Sequence, residues 1–227
     1  MFMSSINKPK PQKVFLTDAV IETFNSAKNG KLLVEIVGGK LMLNTRNANQ
    51  SFDGLHQLFQ LIFADLKTDL ANINQVLCLG LAGGSVVHIL RNELQLPCKI
   101  TAVEYDEVMV QIAQKHFGLQ QFDNLNVIIA DAFTYAEQQA FNQVFDLILV
   151  DLFEDNKVAN GIFNPLFNEQ LLEMCPHGIM VINTICKNQV QEKQINSLVA
   201  FFKQKQLICN LKIYDIAPTN KVLVVYT

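Results

Sequence analysis

Three acidic residues and one glycine-rich turn are the parts of this sequence that could do chemistry. The turn is Gly80-Leu81-Ala82-Gly83-Gly84, and the acids that follow it are Glu104, Asp131 and Asp151. Each comes directly after a short apolar run of strand length. One such acid alone is more simply a helix N-cap. Because ligands of open α/β sheets lie beyond the carboxyl ends of the strands, all four together indicate one binding site.

The stretch around the turn has a strand–turn–helix pattern. Val76–Leu79 is an apolar run, and Ser85 occupies the expected N-cap position before a second apolar segment. Glycine lets the backbone approach a ligand closely, and a helix start offers unpaired N–H groups. The pattern therefore predicts that Gly80, Ala82 and Gly83 contact a nucleotide-like ligand.

The residue types at the strand ends suggest what each side chain would bind. Glu104 offers two carboxylate oxygens to the two hydroxyls of a ribose. Tyr105 would pack on an adenine face or within the core, Asp131 would accept from the adenine amino group, and the small Ala132 would leave room for the ring. Asp151 would stabilise a sulfonium or ammonium charge, or act as a general base towards an amine.

Two further acids, Glu154 and Asp155, follow in the next loop. They would bind a cationic substrate or be solvated loop residues, and both interpretations stay open. The five cysteines show no CxxC spacing, and the histidines lie in separate elements. We therefore predict buried reduced thiols and no metal site.

The elements that position these residues alternate between strands and helices from Gln75 onwards. The last two strands, Leu207–Tyr214 and Lys221–Tyr226, have no helix between them, so we expect them to pair antiparallel. This order predicts an α/β fold with a doubly wound, mostly parallel, seven-stranded Rossmann-like sheet whose last strand is antiparallel.

A smaller unit is predicted to precede this sheet. Residues 1–50 are assigned to an N-terminal arm and a β-hairpin region, and residues 51–227 to the Rossmann-like domain. In the hairpin, Gly38-Gly39 joins Leu32–Val37 to Lys40–Asn44. Two glycines between alternating strands are typical of a two-residue hairpin turn.

The composition narrows the class of partner. Half of the 227 residues are hydrophobic, which allows a sizeable core, and the net charge of −3 argues against nucleic-acid binding through bulk charge. No apolar run reaches the roughly 18 residues that a membrane span needs. The N-terminal residues are polar, without the apolar segment of a secretory signal. We expect a cytoplasmic protein with neither nucleic-acid nor membrane partners.

Taken in order, the motifs resemble the polyamine aminopropyltransferase family, the spermidine synthase-like proteins, which have the class I S-adenosylmethionine-dependent methyltransferase fold. VLCLGLAGGSV is similar to the glycine motif, AVEYDEVMVQIAQKHF to the ribose motif, NVIIADAF to the adenine motif and FDLILVDLFED to the catalytic strand. The resemblance implies S-adenosylmethionine or decarboxylated S-adenosylmethionine as cofactor. It also implies Asp151 as the catalytic base, an amine or other small-molecule acceptor, and a homodimer.

The sequence departs from true spermidine synthases at the polyamine site. Ala82 replaces the acid that holds the aminopropyl amine, and Phe52-Asp53-Gly54 replaces a Tyr-Gln-Glu run. The main hypothesis is therefore a spermidine synthase-like transferase with an altered polyamine site. The alternatives are an S-adenosylmethionine-dependent methyltransferase, which the loss of the acid at Ala82 favours, and a non-catalytic binding protein on the same fold.

Overall fold

The computed structural model describes residues 18–45, 49–51, 54–154, 157–214, 217 and 219–227. The predicted arm over residues 1–12, the pair Phe52-Asp53 and the candidate substrate residue Asp155 lie outside these ranges. The division of the chain at residue 50 stays a prediction. Within the described ranges, no helix is both long enough and apolar enough to cross a membrane.

The N-terminal part forms a four-stranded antiparallel sheet with its strands in chain order. The strands are β1 (Ala19–Ser26), β2 (Gly30–Val37), β3 (Lys40–Thr45) and β4 (Asn49–Ser51). The predicted hairpin is confirmed as β2 and β3, which pair from Val37 opposite Lys40. Gly38 and Gly39 have φ of 55° and 81°, the positive values that a two-residue hairpin turn requires. The hairpin is therefore the centre of a larger sheet.

The rest of the chain alternates between strands and helices, as predicted. Its elements are α1 (Gly54–Asp65), β5 (Gln75–Leu79), α2 (Ser85–His88), β6 (Lys99–Glu104), α3 (Glu107–Phe117), β7 (Leu125–Ile129), α4 (Ala132–Gln139), β8 (Leu147–Val150), β9 (Phe153–Glu154), β10 (Lys157–Val158), α5 (Pro165–Met174), β11 (Ile179–Ile185), α6 (Gln189–Gln204), β12 (Ile208–Ile213) and β13 (Asn220–Tyr226).

Seven of these strands form one sheet in the order β12-β13-β11-β8-β5-β6-β7. Strand β13 is antiparallel to both of its neighbours, and the pairs among β11, β8, β5, β6 and β7 are parallel. The predicted mostly parallel Rossmann-like sheet with an antiparallel last strand is confirmed. Strands β9 and β10 form a separate short hairpin in the segment that the sequence indicated as a polar loop.

The centre of the large sheet is buried on both faces. On β8, Leu147 and Leu149 face an apolar cluster that includes α1, whereas Ile148 and Val150 face a second cluster with α4, α5 and α6. Successive side chains of a strand point to opposite faces, so a strand covered on both sides is apolar throughout. Each such side chain contributes about 1.5–3 kcal/mol on burial.

The helix after the glycine turn begins one residue earlier than expected. Gly84, with φ of 88°, occupies the N-cap position that the sequence assigned to Ser85, and Ser85 is the first helical residue. The helix then continues as a π-helical turn over Ile89–Glu93. A Cβ on Gly84 would lie 2.8 Å from the tip of the Leu119 side chain, which could shift, so the positive φ is what favours glycine there.

The N-terminal sheet is fixed to the large domain at the start of α3. Met109, Ile112 and Phe117 on α3 pack with buried leucine and valine side chains of β2 and β3. Asp106 is buried beside them and caps α3 by accepting from the Val108 N–H at 3.0 Å. The same carboxylate accepts from the Ser26 hydroxyl at the end of β1 and from the Asn29 side-chain amide in the β1–β2 turn. One buried acid therefore joins the two sheets.

Replacing Asp106 by alanine removes a helix cap and the acceptor of Ser26 and Asn29 together. We expect a loss of about 2–4 kcal/mol in the free energy of unfolding, since buried donors would be left without acceptors. Urea unfolding measures the loss, with Asp123→Ala as a control at an exposed aspartate. Equal stability of Asp106→Ala and wild type would contradict this role.

Candidate active site

A cavity of about 960 Å³ lies at the carboxyl ends of β5, β6, β7 and β8. The structure brings most of the predicted site residues to its wall: Gly80, Ala82, Glu104, Tyr105, Asp131, Ala132, Asp151 and Glu154. Gly83 is buried and lies outside the residues that line the cavity. The strand-end residues therefore converge, as the sequence predicted, with Gly83 placed behind the wall.

Gly80 joins the turn to the candidate base. Its N–H donates to the Val103 carbonyl at 2.9 Å, while the Asp151 N–H donates to the Leu79 carbonyl at 2.9 Å. Gly80 has φ of +92°, and a Cβ there would lie only 2.2 Å from the Asp151 carbonyl oxygen. Only glycine fits this position, so the turn and Asp151 keep one fixed arrangement.

The Glu104 carboxylate holds the glycine turn in place by accepting hydrogen bonds from its backbone. Its Oε2 accepts from the Leu81 N–H at 3.0 Å and the Ala82 N–H at 2.9 Å, and its Oε1 accepts from the Asp106 N–H at 2.9 Å. Burial raises the pKa of Glu104, and these three backbone donors act against that rise. A carboxylate has about four lone-pair sites, so Oε1 keeps one further acceptor site, and its contact with a ribose hydroxyl stays a prediction.

Asp151 is set in an environment suited to proton transfer. Burial raises its pKa to about 6, a hydrogen bond from Asn183 Nδ2 to Oδ1 lowers it, and the charge of Glu104 raises it. That bond is 2.8 Å long. An aspartate with a pKa near neutrality can accept a proton without being too weak a base, which is the property expected of a general base.

Asp131 has a local structural role at the start of α4. Its Oδ1 accepts from the Thr134 N–H at 2.9 Å, the geometry of a helix N-cap. Ala132, the next residue, is buried and lines the cavity. The carboxylate therefore caps the helix at the cavity wall, and its contact with adenine stays a prediction.

Tyr105 lies at the mouth of the cavity. It is 51% exposed, and the Lys28 ammonium lies 3.8 Å from its ring centroid and contacts its hydroxyl. The ring is therefore not packed in the core; Lys28 covers one of its faces, and its packing on adenine stays a prediction. Lys28 belongs to the β1–β2 turn, so the N-terminal sheet supplies part of the wall.

Several wall residues were not predicted from the sequence. Asn183 comes from β11, Asn220 from β13 and Lys187 from the segment after β11. Asn183 ends the apolar run Ile179–Ile182, so the strand-end rule that found Asp151 could have found it. Asn220 and Lys28 carry no such signal, because antiparallel pairing and packing of the N-terminal sheet bring them in.

The described residues also bear on the other candidate chemistries. The five cysteines are free, and Cys78, Cys98 and Cys175 are buried, as expected for reduced structural thiols. Among the described residues, no group of three or more His, Cys, Asp or Glu side chains is arranged to hold a metal ion.

The sheet order, the antiparallel β13 and the glycine turn after β5 define the class I S-adenosylmethionine-dependent methyltransferase fold. Human methyltransferase-like protein 13 in complex with SAH has a similar structure, with a TM-score of 0.65 and 21% identity over 77% of this chain and 82% of that chain. At that identity the likeness supports the fold.

The chain belongs to a methyltransferase family, since the family model described as "Methyltransferase domain" matches residues 72–215. It is 26% identical over 174 residues to the eEF1A lysine and N-terminal methyltransferase homolog of Drosophila pseudoobscura pseudoobscura, covering 70% of this chain. It is 31% identical over 124 residues to the polyamine aminopropyltransferase of Vibrio vulnificus, covering 53% of this chain. The chain spans 25% and 40% of the lengths of these two relatives. The methyltransferase fold is thus confirmed, and the narrower spermidine synthase-like assignment is not.

Proposed function

We propose that this chain transfers a methyl group from S-adenosylmethionine to an amine. The observation that carries the proposal is Ala82, which lines the cavity at the glycine turn with φ of 45° and its N–H directed to Glu104. In the spermidine synthases that this sequence resembles, an acidic residue occupies the position of Ala82. Without it, the free amine end of a decarboxylated cofactor has no carboxylate to bind at the turn.

The wall residues fit an adenosyl cofactor at specific atoms. Glu104 Oε1 has an acceptor site that would take a ribose hydroxyl, and Asp131 and Tyr105 would contact adenine. Gly80 brings the backbone close to the cavity, so the turn would contact the amino-acid end of the cofactor. S-adenosylmethionine, when bound, supplies the methyl group on its sulfonium sulfur.

Asp151 would act on the acceptor. Its carboxylate would take a proton from the acceptor ammonium, which would leave the nitrogen lone pair available to the methyl group that S-adenosylmethionine supplies. Before the proton moves, the ionised carboxylate would also attract the cationic acceptor. Leu55, Leu58 and Ile185 line the cavity, and these apolar side chains would contact the alkyl part of an amine.

The acceptor is either a protein amine or a small amine. The Drosophila relative is an eEF1A lysine and N-terminal methyltransferase homolog, which supports an amine on a protein. Glu154 is exposed at the wall and would bind a cationic acceptor. The homodimer and the cytoplasmic location stay predictions from the sequence.

Aminopropyl transfer from decarboxylated S-adenosylmethionine is the second candidate. The identity to the Vibrio polyamine aminopropyltransferase favours it, and Asp151 would act as the same base. The two reactions differ in which carbon next to the sulfonium is attacked, so the cofactor that binds decides between them. A non-catalytic binding protein is the third alternative.

Thermal and urea unfolding with added ligand separates these candidates. A ligand that binds only the folded protein raises stability by about 2.7 kcal/mol at 100 times its Kd. We expect S-adenosylmethionine to give this stabilisation and decarboxylated S-adenosylmethionine to give much less, with methylthioadenosine as the control for the shared nucleoside. Stabilisation by the decarboxylated form alone would favour aminopropyl transfer, and no stabilisation by any of the three would exclude both reactions.

A further inference from the structure

Two asparagines connect Asp151 to the antiparallel strand of the sheet. Asn183 Nδ2 donates to Asp151 Oδ1 at 2.8 Å, and Asn220 Nδ2 donates to Asn183 Oδ1 at 2.9 Å. Asn183 is fully buried, and all three residues line the cavity. The proposed function uses Asp151 and gives no role to the other two.

The register of the strands explains this arrangement. Asn183 on β11 lies opposite Val222 on β13, and Asn220 lies opposite Ile185. Asn183 and Asn220 are therefore diagonal neighbours on one face of an antiparallel pair, at a distance that polar side chains can bridge. On the other side, β11 is parallel to β8, which ends next to Asp151.

The orientation of the Asn183 side-chain amide decides whether its NH₂ group or its oxygen faces the Asp151 carboxylate. An ionised carboxylate only accepts hydrogen bonds, so the amide must present its NH₂ group and not its oxygen. The two ends of an amide are nearly equal in size, and packing alone does not select one of them. A hydrogen-bond donor on the side of Asn183 away from Asp151 does select one orientation, because the amide oxygen must then face that donor and the NH₂ group must face Asp151.

We propose that Asn220 is a positioning residue for Asp151: by donating to Asn183 Oδ1 it holds the Asn183 NH₂ towards the Asp151 carboxylate. The inference rests on the proposed function only in that Asp151 is the base there. The arrangement keeps the buried carboxylate ionised and pointed into the cavity. Asn220 itself touches neither the carboxylate nor the reacting atoms.

Other ionisable groups also face Asp151 and enter any titration of it. Glu104 acts from β6 and Cys78 from β5. Glu154 and Lys187 line the same cavity. None of the variants below changes these four groups, so a difference in titration reports on the amide chain.

The test is a direct titration of Asp151 in the whole chain without cofactor. Carboxyl-labelled aspartate, followed by ¹³C NMR and assigned with Asp151→Asn, gives the pKa of this residue. In Asn220→Ala and Asn220→Leu the Asn183 amide is free to turn its oxygen towards Asp151. We expect the pKa to rise by about one pH unit, because a hydrogen bond to a charged group is lost.

The controls separate positioning from loss of structure. Asn220→Ser keeps a hydroxyl donor and should keep a pKa closer to that of wild type. Asn126→Ala changes an exposed asparagine on β7, the opposite edge of the sheet, and should leave the pKa unchanged. If one Asn220 variant fails to fold, the other two still give the comparison.

The titration and the transfer assay distinguish failure of the positioning role from failure of the proposed function. An unchanged Asp151 pKa in folded Asn220→Ala and Asn220→Leu would overturn the positioning role. A raised pKa in a protein that transfers no group to any amine would keep the positioning role and count against the proposed function.

Discussion

Asp151→Asn should abolish methyl transfer while leaving cofactor binding intact. Asparagine has nearly the same shape, and Asn183 can still donate to its oxygen, but it cannot take a proton from an amine. Loss of a general base costs about 10²–10⁴-fold in rate. Single-turnover transfer to an amine acceptor measures the loss, and the thermal shift with S-adenosylmethionine measures the retained binding.

The pH dependence of the wild-type rate provides the matched check. The base works only when ionised, and burial raises the pKa of Asp151 to about 6. The value of kcat/KM should therefore fall about tenfold per pH unit below pH 6, whereas an ordinary aspartate would hold the rate down to about pH 4. Full turnover by Asp151→Asn would exclude Asp151 as the base. A pH–rate profile whose acidic limb begins near pH 4 would also exclude it.

The same substitution should make the protein more stable at neutral pH. The native carboxyl binds its proton more tightly than the unfolded one, so between about pH 4 and 6 the native state holds more protons and stability falls as pH rises. Because asparagine does not ionise, the Asp151→Asn variant does not lose this stability as the pH rises. We expect it to exceed wild type by about 2 kcal/mol in urea unfolding at pH 7.5, with the difference much smaller at pH 4.

Glu104→Gln should reduce both stability and cofactor affinity. The buried carboxylate accepts from three backbone N–H groups, and glutamine would turn an NH₂ group towards at least one of them. An unsatisfied buried donor costs about 1–3 kcal/mol, so we expect a loss of about 2 kcal/mol in the free energy of unfolding. S-adenosylmethionine affinity should fall at least about tenfold, because the turn and the ribose acceptor change together.

Glu107→Gln is the matched control, since Glu107 is exposed in the first turn of α3 only three residues away. It should behave like wild type in urea unfolding and in ligand titration calorimetry. If Glu104→Gln kept wild-type stability and lost only affinity, the carboxylate would act on the ribose alone. If it kept both, neither role would stand.

The large sheet was predictable because burial on both faces leaves a clear pattern. The run Leu147–Val150 is entirely apolar and is fully covered in the structure. Strands β1 and β4 left no such pattern: β1 has one largely exposed face, and β4 has only three residues. Their pairing depends on the hairpin between them, which the Gly38-Gly39 turn did predict.

The site residues that follow strands could be predicted from the sequence, whereas those brought in by long-range contacts could not. Glu104 and Asp151 follow apolar strands, so the strand-end rule located them. Asp106 and Asn220 act through partners 80 and 37 residues away in the chain, which local sequence does not encode. The reaction was harder still to predict, because one fold supports several transfer reactions and does not by itself select one of them.

Gly80 has a consequence for how this protein can be altered. Its close packing against the Asp151 backbone holds the glycine turn and Asp151 in one fixed arrangement, set by the main chain. The two short strands β9 and β10 belong to neither large sheet, and β9 reaches the same cavity, whereas the β1–β2 turn is tied to α3 through Asp106. An engineer seeking a new acceptor could therefore vary the β9 wall first and leave the glycine turn and Asp151 unchanged.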